Sequence, residues 1–206
     1  MSETGSGANP RLRQTLWLVI ALNLAFFVVE FIVATKIGAV SLFADSVDFL
    51  EDTAMSMLVL AAMRLSPLTR ARIGFALAGV LLLPVLAFVA TLGHKFLAAV
   101  PQAPEPAPFA LTGLAALAVN ATCALMLARV RNVAGSLTRA AFLSARNDMV
   151  ANIAIMAAAG LTALWPSIWP DIVVGLGIAA LNADAAGEIW RAARREHGAA
   201  LAVDDD

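Results

Sequence analysis

The sequence is short of charge. Only 14% of its 206 residues are Asp, Glu, Lys or Arg, where a soluble domain carries about 25%. With 61% hydrophobic residues and a mean hydropathy of +0.82, that shortage argues against a soluble domain and for an integral membrane protein. Neither sign of charge dominates: a net charge of −1 leaves no electrostatic footprint for nucleic acid. There is one cysteine, Cys123, in an apolar run, so no disulfide can form within the chain. Histidine is nearly absent; His94 beside Lys95 reads as interfacial and His197 as part of a tail. The polar start MSETGSGANPRLRQ contains no short apolar core followed by a small-residue cleavage site, so no cleavable signal peptide is expected.

What is abundant is apolar sequence in runs of membrane-crossing length, about 20 residues each. The pattern predicts an all-α integral membrane bundle of six transmembrane helices, at about 15–35, 41–63, 73–97, 109–128, 140–164 and 171–190, within a membrane domain of residues 14–191. Residues 1–13 read as a disordered cytoplasmic tail and residues 192–206 as a short cytoplasmic tail. Pro84 sits inside the third span and can kink it. Ala98–Pro108, with four prolines, is a loop, and Trp165-Pro166 to Trp169-Pro170 is a tight turn with two interfacial tryptophans. Small-residue runs at Ala157–Gly160 and Gly175–Ala180 suit close helix packing. Eleven of the 14 basic residues fall on the side that holds both termini, against Lys36 and Lys95 on the other, with Arg146 inside the fifth span. This bias places both ends in the cytoplasm, and the expected location is a multi-pass position in a bacterial inner membrane.

The scarce charges gather where they cost most. Ser41–Asp52, SLFADSVDFLED, puts Asp45, Asp48, Glu51 and Asp52 at the start of the second predicted span. An acid within a membrane helix is expensive and is a functional-site hypothesis by default. Asp45, Asp48 and Asp52, spaced i, i+3, i+7, share one helical face, and Asp48 and Asp52 lie one turn apart, close enough to hold a cation between them. Glu51 is off the Asp48–Asp52 face by about 60–100° and reads as a vestibule acid or a partner of Arg146. In the fifth span, Asp148 lies four residues after Ser144 and four before Asn152, so these three share a face, with Arg146 and Asn147 beside them. Counting from the helix ends, Asp48 and Asp52 are roughly 10 and 17 Å below the outer end, and Asp148 roughly 12 Å above the inner end. Three carboxylates can therefore meet near mid-membrane. Arg146 alone cannot offset them, so they need a cation. Glu30 and Asn23 in the first span and Asn120 in the fourth either line the ion path or make interhelical hydrogen bonds worth about 1 kcal/mol. The seven methionines are scattered and read as packing, and Asp204–Asp206 reads as a solvated tail.

DSVDFLED followed by SARNDMVAN resembles the paired motifs of the cation diffusion facilitator family, six-helix divalent-metal transporters. In that family the second helix carries a His or Asp four before an Asp, and the fifth helix repeats the pairing. Asp48 and Asp52 match the first pair; Ser144 and Asp148 occupy the places of the second. The resemblance covers about residues 15–195, with LNLAFFVVEF, GLAALAVN and PDIVVGLGIAALN as further stretches. It implies a metal site of Asp48, Asp52, Asp148 and Ser144, with Asp45, Glu51, Arg146, Asn147, Asn152, Glu30 and Asn120 around it or along the pathway. It implies a transported divalent metal (Zn, Co, Fe or Mn) and no other cofactor, protons as counter-ion, a lipid bilayer as surroundings and a homodimer. Three departures stand out: Ser144 replaces the usual His or Asp, the loop before the fifth helix lacks histidines, and the sequence ends about 16 residues past Trp190. The expectation is a transport core without the family's cytoplasmic metal-binding domain.

The expected function is export of a divalent metal from the cytoplasm by proton antiport, not enzymatic catalysis. Carboxylates this crowded take up and release protons as one coupled cluster. An oxygen-rich ligand set suits hard ions such as Mn²⁺ or Mg²⁺, whereas Zn²⁺ favours His and Cys; the resemblance favours a transition metal. Two alternatives differ in class. Membrane enzymes of lipid head-group transfer also place aspartates on helices, in a DxxDGxxAR pattern, but here Phe49 follows Asp48. A transport-inactive assembly partner would fit the missing domain and Ser144.

Overall fold

The computed structural model describes residues 10–63, 102–130 and 135–181, with isolated positions between 66 and 97 and between 190 and 195; side chains of residues 135–144 lie outside the description. Among the described residues five continuous helices are defined: α1 (Pro10–Ile37), α2 (Val40–Ala62), α3 (Pro106–Ala128), α4 (Gly135–Leu164) and α5 (Trp169–Leu181). They are the first, second, fourth, fifth and sixth predicted spans, and there is no strand among the described residues. Most of the third span, with Pro84 and His94, the end of the sixth, and residues 1–9 and 196–206 of the tails lie outside the described residues.

α1 starts at Pro10, inside the segment read as a disordered tail. Proline suits a first helical turn, where its missing N–H costs nothing. Leu12, Leu16, Val19, Asn23, Glu30 and Ala34 are buried along one stripe of α1, while Trp17, Leu18, Val28, Val29 and Ile32 are exposed on the other side. An apolar stripe turned outward is what a lipid-facing helix needs. α1, α3 and residues 145–164 of α4 are each long and apolar enough to cross a membrane.

α2 is the exception. It has the length of a span, yet its acids keep it out of that class, and every residue from Ala39 to Phe49 is buried. A helix buried all round belongs at the centre of a fold. It packs against α1 on one side and α4 on the other and touches α3. The helix with the least lipid-compatible sequence is thus wrapped by those with the most.

Close packing comes from small residues. A Cβ at Gly113 of α3 would lie 2.9 Å from Ile155 Cγ2 of α4, and one at Gly175 of α5 would lie 2.9 Å from the Ser41 backbone nitrogen of α2. Two apolar clusters occupy the ends of the bundle. At the end holding the α1–α2 turn, Ala34, Val40, Leu42, Phe43, Phe109, Ile155, Ala159 and Ile172 pack together. At the far end Leu12, Leu16, Val19, Val59, Cys123 and Leu127 do the same.

The turn itself is tight. Gly38, at φ 66°, reverses the chain in a conformation that disfavours a side chain. Asp171 then holds the start of α2 from α5. Its Oδ2 accepts the Val40 N–H at 2.8 Å, and its Oδ1 accepts the Ser41 N–H and the Ser41 hydroxyl, each at 2.8 Å. Lys95 Nζ donates to Asp171 Oδ2 at 2.9 Å and to the Gly38 carbonyl at 2.7 Å.

Candidate metal site

Between the two apolar clusters runs a band of buried polar side chains. Asn23 and Glu30 come from α1, Asp45, Asp48, Asp52 and Ser56 from α2, Asn120 from α3 and Asn152 from α4, and each is at most 7% exposed. The helical repeat of α2 aligns Asp45, Asp48, Asp52 and Ser56 at spacings of three and four, so they form a stripe along the bundle axis. Aromatic pairs wall this stripe on the α1 side: Phe31 meets Phe43 with ring centroids 4.8 Å apart, and Phe26 meets Phe49 at 4.9 Å. The walls are apolar, so charges within them are poorly screened.

The acids interact as one group. Asp48 feels Asp148 across the α2–α4 contact, and Asp45, Glu51 and Asp52 along its own helix. Asp148, partly buried on α4, interacts with Asp52, Asp45 and Glu51. Among the described residues no three of His, Cys, Asp and Glu converge tightly enough to grip one ion in this conformation. The carboxylates stand in electrostatic range of one another, short of a closed coordination shell.

Several polar atoms in this band are buried without a hydrogen bond of good geometry: both oxygens of Glu30, both of Asp45, both polar atoms of Asn120, Asn23 Nδ2, Ser56 Oγ and Asn152 Oδ1. The carboxyls of Glu30 and Asp45 instead face each other across the α1–α2 contact. Each such group carries a desolvation cost of about 1–3 kcal/mol, more when charged. A fold tolerates that concentration where the groups serve a mobile cation or water. Donor chemistry agrees, since carboxylate and amide oxygens are ligands for divalent cations.

The structure separates the residues singled out from the sequence. Asp45, Asp48 and Asp52 share one buried stripe with Asp148 facing it; Asn152 lies on the same side of α4, its amide donating to the Asp148 carbonyl at 2.7 Å. Glu30 and Asn120 enter the band from α1 and α3. Arg146 and Asn147 are exposed on α4, and Asn147 borders an apolar groove of about 630 Å³ between α4 and α5 together with Val150, Val173 and Leu181. The Ser144 side chain falls outside the described residues. Sequence reasoning missed Asp171 and Lys95. Its only available signal was that both are lone charges at the apolar margins of spans that end on the same side.

The profile of the cation efflux transmembrane domain matches residues 16–196. The chain belongs to the cation efflux family. It is therefore a membrane protein that transports a cation, and the family's members are transporters rather than enzymes. The helices that match carry the acid band, so the polar residues at the centre of this cation efflux protein lie on the part of the chain that defines the family. None of the curated proteins compared with the chain matches it.

Proposed function

We propose that this cation efflux protein exports a divalent transition metal from the cytoplasm in exchange for protons. The metal binds between α2 and α4, on Asp48, Asp52 and Asp148, with Ser144 in the fourth place. Asp45, Glu51, Glu30, Asn120 and Asn152 line the approach. The observation that carries this reading is the buried stripe of Asp45, Asp48 and Asp52 on α2, walled by apolar side chains and set across the α2–α4 contact from Asp148. Small closing movements of α2 against α4 bring the carboxylates from electrostatic to coordination range.

Charge balance supplies the coupling. A divalent ion leaving this cluster removes two positive charges from a site with low screening, and acids inside a membrane do not stay uncompensated. Protons from the far side replace it on the same oxygens. Metal and protons then take turns on one set of ligands, with helix groups rocking about a midplane site. A homodimer within a bacterial inner membrane, termini in the cytoplasm, completes the reading.

The test is transport by the purified protein in proteoliposomes across Zn²⁺, Co²⁺, Fe²⁺, Mn²⁺ and Mg²⁺, with and without a proton gradient. The expected result is movement of a transition ion, accelerated by acid on the side opposite the metal. Metal binding followed by calorimetry should release protons, read as a heat that varies with buffer ionisation enthalpy. Efflux indifferent to the gradient, with a buffer-independent heat, would sink the antiport mechanism. No transport of any ion would favour the inactive-partner reading.

A further inference from the structure

Asp171 makes four polar contacts with other elements, and the transport reading gives it no task. Val40 and Ser41 open α2, so their N–H groups have no carbonyl acceptor within the helix. Ala39, at the N-cap position, offers no side-chain acceptor. In the interior of a membrane protein such donors have to be satisfied from within the fold. A carboxylate from α5 does so, at the end of α2 where the helix dipole favours negative charge. Lys95 neutralises that carboxylate and also binds the carbonyl of Gly38 in the α1–α2 turn. Asp171 is fully buried and Lys95 nearly so. Gly175, one turn further along α5, lets the α5 backbone approach that of α2 directly beside this clasp.

We propose that Asp171 is a positioning residue for transport: it locks the start of α2 to α5 and to the segment carrying Lys95, so that these three move as one body and the acids of α2 keep a fixed axial place. Asp45, Asp48 and Asp52 follow Ser41 by roughly 6, 10 and 16 Å along a rigid helix. A shift at the clasp is handed undiminished to all three. The role in transport rests on the acid stripe being the metal site; the clasp itself does not.

The experiment uses the full chain in detergent and in proteoliposomes, with Zn²⁺ as the transported probe. Three variants are compared: Lys95→Met, Asp171→Asn and the double variant. Hydrogen exchange of amides 38–44 reads the clasp. Lys95→Met leaves the helix start capped and should change exchange little. Asp171→Asn strands a buried ammonium and should speed exchange about tenfold or more, each tenfold being about 1.4 kcal/mol. The double variant removes the stranded charge while the Asn oxygen still accepts from α2, so it should recover most of the protection. In transport, Asp171→Asn should raise the apparent KM for Zn²⁺ about tenfold, the loss typical of a group that supports a metal site without ligating it, with a smaller fall in maximal rate; the double variant should reverse this.

Unchanged exchange in Asp171→Asn, or a double variant no better protected than that single one, overturns the clasp. Exchange that follows the expected order with KM unmoved overturns the positioning role. If Asp171→Asn does not assemble, a well-folded double variant with near-wild-type KM supports the proposal, and a double variant that also fails to assemble overturns it. Expected exchange in a wild-type protein that moves no Zn²⁺ or other ion leaves the clasp standing and removes the metal-site reading instead.

Discussion

Asp171 and Asp45 are equally buried, and Asp45 lies one turn of α2 beyond Ser41, which Asp171 holds, yet they live in opposite circumstances. Asp171 receives donors from two backbone amides, a hydroxyl and an ammonium. Neither Asp45 oxygen accepts a hydrogen bond of good geometry among the described residues, and its neighbours there include the acids Glu30 and Asp48. The comparison teaches that burial does not identify a working acid. A fully partnered carboxylate holds structure together, and removing it strands its partners. A carboxylate buried among like charges weakens the fold where it sits, and the proposed transport role gives it a reason to be there.

The sharpest way to break the comparison is to remove acids from each region and measure both transport and stability. Asp48→Ala, Asp52→Ala and Asp148→Ala should each reduce metal efflux to background, while the purified proteins still elute as assembled particles on size exclusion. Normal efflux from any of the three would mean the site is misplaced. Asp171→Ala should instead act on the fold, costing about 3–5 kcal/mol because Lys95 is left buried and unpaired. Thermal unfolding in detergent would show the loss, whereas Asp45→Asn should leave the midpoint unchanged or raise it. If Asp45→Asn is the more destabilising of the two, the distinction between partnered and unpartnered acids fails.

Smaller effects sharpen the picture. Gly175→Ala places a methyl 2.9 Å from the backbone of Ser41 and should cost about 1–3 kcal/mol by overpacking. Gly113→Ala should cost less, because its nearest contact is a side-chain methyl of Ile155 that can turn away. Ser144→His should shift selectivity towards Zn²⁺ over Mn²⁺, since imidazole suits zinc; an unaltered ion profile would place another group, such as water, in the fourth position. Alanine at Asp204, Asp205 and Asp206 should leave transport as it was, measured by the same efflux assay.

The helices and the acid stripe were legible because they rest on local spacing. Apolar runs and an i, i+3, i+7 pattern are properties of short windows, and α2 and α3 begin within three residues of where the runs begin. Helix starts moved where a weak local signal was overruled by packing: α1 reaches back to Pro10 so that Leu12 can join the far-end cluster, and α4 begins at Gly135. Arg146 looked like a counter-charge from its place between Ser144 and Asp148, but helical geometry turns it out of the cluster, and it is exposed. The cap on α2 was invisible. It joins residues 130 positions apart, and no window of sequence contains both Ser41 and Asp171.

The two-residue turn at Gly38-Ala39 has a consequence for biogenesis. An aspartate near the centre of a helix entering the bilayer through the translocon costs about 2.5–3.5 kcal/mol, and α2 carries three aspartates and a glutamate. It would be rejected as an independent segment. α1, with a mean hydropathy of 2.5 over its best stretch, partitions readily, and so short a connection leaves no slack for the two to enter separately. They must leave the ribosome and cross as one hairpin, with the acids of α2 shielded against α1 before α3 has been synthesised. Lengthening the turn with a flexible Gly-Ser insert would therefore do its damage during synthesis, as α2 left behind in the cytoplasm and exposed to proteases, whatever the finished bundle could have tolerated.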